Sequence, residues 1–204
     1  MKTDYVALDQ LEVLLGGLMP ANRAALEISM STGLRISDVL GLRWEKCCFL
    51  QPGDCFTLVA LKTGRPVNVL VTPTFCNALK RAGGGTVHQC GWVFPGRTQG
   101  TNRPGAGKSD GGHRTRQAVW KDLKRAARLY RCEGRRLREN VGPHSCRKVF
   151  AVRLYQESKS LEVVRRALGH KDLAVTMLYA LADELTARER SVTSEAGEFT
   201  PVEK

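Results

Sequence analysis

A mostly α-helical domain with one small antiparallel β-sheet (α+β) is the fold class that this sequence predicts. Three observations carry it. Two runs rich in β-formers, residues 55–61 and 66–71, flank the turn Lys62-Thr63-Gly64-Arg65, which is the pattern of a β-hairpin. Most of the remaining patterned segments read as helices bounded by caps or glycines. The apolar fraction is 42% of 204 residues, enough to bury a core and too high for a disordered chain.

In chain order, residues 8–18 read as a short amphipathic helix with Asp9 as its cap. Residues 21–31 form a second helix, which Thr32-Gly33 stops. Ser37-Asp38 opens a third, short helix through Leu42, and the hairpin follows. Residues 74–82 are helical until Gly83-Gly84-Gly85, and Trp92-Val93-Phe94 is a short buried strand or core anchor. Residues 95–113 are rich in Gly, Pro and polar residues, the composition of a mobile loop. Helices are expected at about 114–130, 143–157, 160–168 and 172–182, with a loose polar tail beyond Arg190.

Composition narrows the function. The longest apolar runs, such as residues 11–19, are too short or too interrupted to span a bilayer, and the start lacks the pattern of a secretory signal. A soluble, cytoplasmic protein without membrane contact is therefore expected. The formal net charge is +12, and its distribution is uneven. Residues 97–153 carry 16 basic and 4 acidic side chains, whereas residues 1–96 carry 9 and 7 and residues 154–204 carry 7 and 9. A solvated helix face mixes both signs, so this block points to a polyanion such as nucleic acid.

Seven cysteines occur without CxxC spacing, which fits reduced thiols better than a disulfide framework or a zinc module; no metal or cofactor is expected. Gly105-Ala106-Gly107-Lys108-Ser109 resembles the end of a P-loop, but the position that needs the first Gly is Asn102.

Five segments hold residues suited to phosphate chemistry. Arg35 lies at a loop-to-helix junction in Thr32-Gly33-Leu34-Arg35-Ile36-Ser37-Asp38, and Lys62 lies in the hairpin turn. His144 and Arg147 share a face near a helix start at i and i+3. His170 follows Leu168-Gly169, and Tyr179 comes nine residues later on a helix that Asp172 can cap. Taken singly, each has an ordinary structural reading as a surface charge, a cap or a core aromatic.

In this order, with the flanks Val39-Leu40-Gly41-Leu42-Arg43-Trp44 and Lys171-Asp172-Leu173-Ala174-Val175-Thr176-Met177-Leu178-Tyr179, the chain resembles the tyrosine recombinases, the phage integrases and their relatives, over about residues 8–185. The resemblance implies the integrase catalytic-domain fold. It implies one catalytic domain over 1–190 and a polar tail over 191–204, without the helical DNA-clamping domain that usually precedes it. The chain is then either an excised catalytic domain or a natural short member, like the small recombinases that invert fimbrial promoters. Cys146 departs from the apolar residue often found before the second arginine, and a thiol is a tolerable substitute.

The implied reaction is DNA strand cleavage and rejoining for phage or mobile-element integration, excision or inversion, independent of metal and ATP. Tyr179 attacks a phosphodiester, leaving a 3′-phosphotyrosine and a free 5′-hydroxyl. Arg35 and Arg147 offer paired N–H donors to the phosphate oxygens, with His170 as a further donor; one such donor is worth on the order of 3 kcal/mol. Lys62 protonates the leaving oxygen, and His144 accepts or positions the tyrosine proton. Asp38 either orients the arginines or serves in the first turn of its helix. Arg114, Arg116, Lys121, Lys124, Arg125 and Arg128 are expected to bind DNA, mostly at phosphates, with Arg114 or Arg116 the candidates for base edges. The partner is double-stranded DNA, bound as a homo-tetramer on paired sites, with the chain monomeric when free. A type IB topoisomerase shares the chemistry. A non-catalytic helix-turn-helix protein leaves Arg35, Lys62 and His144 without a purpose.

Overall fold

The computed structural model describes residues 8–82, 91–96, 112–129, 131–132, 135–136 and 141–169. The elements run α1 (Leu8–Gly16), α2 (Pro20–Thr32), α3 (Ile36–Leu40), α4 (Trp44–Cys47), β1 (Cys55–Val59), β2 (Pro66–Leu70), α5 (Pro73–Ala82), α6 (Arg116–Leu129), β3 (Arg131–Cys132), β4 (Arg135–Arg136), α7 (Pro143–Ser158) and α8 (Leu161–Leu168). The mostly helical class with a small antiparallel sheet is what the chain adopts. Among the described residues no helix is long and apolar enough to cross a membrane.

The chain divides into two compact units, residues 1–150 and 151–204, at a point within α7. In the first unit, α2 packs on α5, and α6 receives α1 and α3. Ala24, Ala25, Leu26 and Ile28 of α2 are buried, as are Phe75, Ala78 and Leu79 of α5. Burying side chains the size of Leu26 or Phe75 stabilises by about 1.5–3 kcal/mol each. Glu27, buried on α2, pairs with Arg23 at 2.9 Å and with Arg81 of α5, so the packed helices are also pinned by charge.

The hairpin pairs in register Phe56↔Val69 and Leu58↔Val67, which places these four apolar residues on the face toward the core. Phe56 meets Phe75 with ring centres 5.8 Å apart. The strands end earlier than expected, at Val59 and Leu70. Residues 60–65 close the turn through Ala60 N–H to the Arg65 carbonyl at 2.9 Å and Gly64 N–H to the Ala60 carbonyl at 2.8 Å.

Several boundaries differ from the sequence reading, each for a local reason. α1 begins at Leu8, so Asp9 lies inside its first turn rather than capping it. α2 starts one residue early because Pro20, with its fixed φ, suits a first helical position. α3 is capped at Arg35, not opened by Ser37-Asp38. α4 and the β3–β4 pair are too short to leave a period in the sequence.

Trp92-Val93-Phe94 anchors in the core. Val93 N–H donates to the Leu42 carbonyl at 3.0 Å, and Arg43 lies over the Trp92 ring at 4.4 Å. Pro95 pairs with His113, Gly96 N–H donates to the Gly112 carbonyl at 2.8 Å, and Arg114 N–H donates to the Phe94 carbonyl at 2.7 Å. A Cβ at position 96 would lie 2.4 Å from the Gly112 oxygen, so this close crossing needs glycine.

In the second unit, Ser160 caps α8 by accepting the Val163 N–H, and Gly169, at φ 62°, ends it. Val164 and Leu168 are buried on α8. The expected helix over 172–182 and the tail beyond Arg190 lie outside the described residues.

Candidate active site

Arg35 is set by a tightly bonded loop. Gly33 takes φ 71° and donates its N–H to the Ser29 carbonyl, which ends α2. The buried Ser29 hydroxyl donates to the Leu34 carbonyl at 2.7 Å, and Thr32 Oγ1 accepts the Leu34 N–H at 3.3 Å. Arg35 follows, half-buried, as the N-terminal flank of α3. A side chain at Gly33 is doubly excluded, by the positive φ and by the Phe150 ring, 2.5 Å from where its Cβ would stand.

Arg147 reaches the same loop from α7. It is only 8% exposed, and its Nη1 donates to the Gly33 carbonyl. Two buried residues before it steady the start of α7. Ser145 N–H donates to the Gly142 carbonyl at 2.8 Å, and Cys146 is fully buried. Burial pushes the Cys146 thiol up to about 12, so it packs as a small protonated hydrophobe.

Lys62 lies in the exposed hairpin turn. The residue before it is fixed, because the buried Asp38 carboxylate accepts the Leu61 N–H at 2.8 Å. Asp38 was expected to orient the arginines or to serve its own helix; this bond of its carboxylate ties α3 to the hairpin.

His144 is where these residues converge. Its side chain reaches solvent, yet its pKa lies below the ordinary 6.5. Partial burial of the ring is the largest cause, followed by the charges of Arg147, Arg35, Lys62 and Arg116. Of the six residues singled out in the sequence, Arg35, Lys62 and Arg147 are thus brought within electrostatic reach of a fourth, His144. His170 and Tyr179 lie outside the described residues. Chemically, a neutral imidazole beside two guanidiniums and an ammonium can take up a proton while the cations hold an anion. Among the described residues no group of three or more His, Cys, Asp or Glu side chains is placed to hold a metal.

The six basic residues expected to contact DNA separate into two groups. Arg114 donates from Nη1 to Asn22 Oδ1 at 2.9 Å, and its Nε is buried without a partner. Arg125 pairs with Asp122 at 2.7 Å. Asp122 also accepts Asn22 Nδ2 at 2.7 Å and Met19 N–H at 2.9 Å. Burial pushes the Asp122 pKa up, but these donors outweigh it and the net shift is downward. Arg114 and Arg125 therefore belong to a network that seats α6. Arg116, Lys121 and Arg128 are exposed and Lys124 is half-buried on α6. Sequence reasoning missed Asn22 and Asp122; the available signal was an aspartate standing alone between Lys121 and Lys124.

The phage integrase family matches residues 6–185 of the chain. Tyrosine recombinase XerC of Xylella fastidiosa is 30% identical over 167 residues, covering 79% of this chain and 49% of that protein. Tyrosine recombinase XerD of Lacticaseibacillus casei is 30% identical over 168 residues, covering 78% and 49%. The fold is similar to that of the XerH site-specific recombinase in its post-cleavage complex with palindromic difH substrate, with a TM-score of 0.63 and 23% identity over 95% of this chain and 54% of that one. The chain spans about half the length of the curated relatives it matches.

Proposed function

The chain belongs to the phage integrase family, and from that premise we propose that it is a site-specific DNA recombinase that cuts and rejoins strands through a 3′-phosphotyrosine. The observation that carries this reading is the bond from Arg147 to the Gly33 carbonyl in the loop that leads to Arg35, beside a His144 on which the charges of Arg35, Lys62, Arg147 and Arg116 bear. Double-stranded DNA is the substrate. The names of the similar recombinases and the basic block over residues 97–153 both support it.

The Tyr179 hydroxyl attacks the phosphorus. The P–O5′ bond breaks, a phosphotyrosine bond forms, and the bond energy is retained for religation by a second 5′-hydroxyl. The transition state spreads extra negative charge over the non-bridging oxygens. Arg35 and Arg147, held at one loop by the Gly33 carbonyl bond, answer that charge with rigid N–H pairs, and His170 adds a donor. His144 takes the tyrosine proton; its lowered pKa keeps it neutral and able to accept near pH 7. Lys62 gives its proton to the departing 5′-oxygen. The chain acts as a homo-tetramer on paired sites, from a monomer in the bacterial cytoplasm, in integration, excision or inversion.

The test is a nicked duplex whose cleavage releases a short fragment and so traps the covalent complex. Wild type is expected to form a denaturant-resistant protein–DNA adduct and Tyr179→Phe none. An adduct of equal yield from Tyr179→Phe removes the assignment. Relaxation of supercoiled plasmid without paired sites points to a topoisomerase instead.

A further inference from the structure

α6 carries a surface that phosphate binding does not account for. Its inner face is Val119, Leu123, Ala126 and Ala127. On the outer side Trp120 is 45% exposed and Leu129 68% exposed. Together with Lys121, Lys124, Arg125 and Arg128 they line an open hollow of about 290 Å³. Lys124 Nζ sits 5.9 Å from the Trp120 ring centre, within reach of its negative face.

Cations alone grip a phosphate backbone, and the exposed indole adds an apolar face beside them. An occupant of this surface must offer negative charge and an apolar edge side by side. The major groove of duplex DNA does: phosphates line its walls, and the thymine C5-methyl projects from its floor. A groove about 12 Å wide admits a helix about 10–12 Å across. Arg116, Trp120 and Lys124 stand at i, i+4 and i+8, so they form one stripe along α6. Its first member is the arginine whose charge reaches His144, and Trp120 comes only about 6 Å further along the axis.

We propose that Trp120 is a specificity-determining residue: its indole packs on a thymine methyl a few base pairs from the scissile phosphate, while Lys121, Lys124 and Arg128 hold the flanking phosphates. This inference rests on the recombinase reading above and names how that site recognises its substrate.

The experiment selects duplexes from a random-sequence library with the wild-type chain, Trp120→Ala, Trp120→Phe and Lys124→Ala. Wild type enriches a sequence with thymine at one or two fixed positions. Replacing such a thymine by uracil, which lacks only the methyl, weakens wild type about fourfold. Trp120→Ala binds the thymine and uracil forms alike and keeps its affinity for unrelated duplex within about threefold. Trp120→Phe, which keeps an aromatic ring on the exposed site, retains part of the preference. Lys124→Ala weakens binding to every duplex and lowers the salt slope by about 1. The inference is overturned if Trp120→Ala keeps the preference for thymine, if it loses affinity equally on all duplexes, or if wild type enriches no sequence. Adduct formation on nicked DNA is scored separately: a wild type that forms the adduct yet ignores the methyl sinks this inference alone, whereas one that forms no adduct sinks the recombinase reading.

Discussion

Asp38 and Leu61 are joined by a hydrogen bond, the Leu61 N–H donating 2.8 Å to a buried carboxylate oxygen of Asp38. Twenty-three residues apart in sequence, they couple α3, which begins after Arg35, to the turn that carries Lys62. Under the proposed function, in which Lys62 is the proton donor, Asp38 is then a positioning residue for it. Asp38→Ala leaves a backbone N–H unpaired, a loss of about 1–3 kcal/mol. Cleavage is expected to fall about 10–100-fold if that loss is felt at the turn. A substrate with sulfur at the bridging 5′ position separates the roles. A thiolate, with a pKa near ~8.5, leaves without a proton, so this substrate should restore both Lys62→Ala and Asp38→Ala. A defect in Asp38→Ala that sulfur leaves untouched assigns Asp38 to folding alone.

Gly33 is expected to resist substitution. Gly33→Ala meets both a φ of 71° and the Phe150 ring. It should destabilise by about 1–3 kcal/mol, read as a lower denaturant midpoint. The double variant Gly33→Ala/Phe150→Leu should recover part of that loss, because the smaller side chain yields. Simple additivity of the two changes would show that the ring contact does not matter.

His144 should titrate below 6.5 in the free protein, followed by the NMR signal of its ring carbon. Arg116→Ala removes one of the four charges facing it, those of Arg35, Lys62, Arg116 and Arg147, so its midpoint should rise toward 6.5. The sign for stability follows. The unfolded chain takes up this proton near 6.5 and the folded chain resists it, so the cost appears as pH falls below 6.5. An unchanged midpoint in Arg116→Ala places that guanidinium away from the site.

Asp122 should matter more to the basic helix than its lone negative charge suggests. Asp122→Ala removes acceptors from Asn22, Arg125 and the Met19 N–H, and should cost about 2–3 kcal/mol in chemical unfolding at neutral pH. Its folded pKa is depressed. The stabilisation is therefore complete above its unfolded value, near ~3.9, and is lost as pH falls through the lower folded one. The gap between wild type and Asp122→Asn should shrink over that acid range; a constant gap means the ionised form is not what stabilises.

Much of the fold was legible because its signals are local. Two β-rich runs around Lys62-Thr63-Gly64-Arg65 define a hairpin without tertiary information, and Gly33 and Gly169 mark helix ends because a left-handed residue is needed there. α4 escaped notice because four residues carry no period. Of the candidate site, order and residue type single out Arg35, Lys62, His144 and Arg147, and the first, second and fourth of these bear electrostatically on the third. The partner of Asp38 was not, since it is a backbone N–H, and every residue but proline has one. The internal bonds of Arg114 and Arg125 were not legible, for a different reason. Net charge counts guanidiniums but does not say which of them an internal acceptor such as Asn22 or Asp122 already holds.

The crossing at Gly96 and Gly112 has an evolutionary consequence. Gly96 and Gly112, sixteen positions apart in sequence, are bonded to each other at 2.8 Å. That bond fixes the spacing of the two ends, and in a loop closed at such a point doubling the length costs only about 0.6 kcal/mol in closure entropy. An insertion between these glycines is expected to leave Phe94 on one side and α6 on the other seated, which an unchanged denaturant midpoint would check.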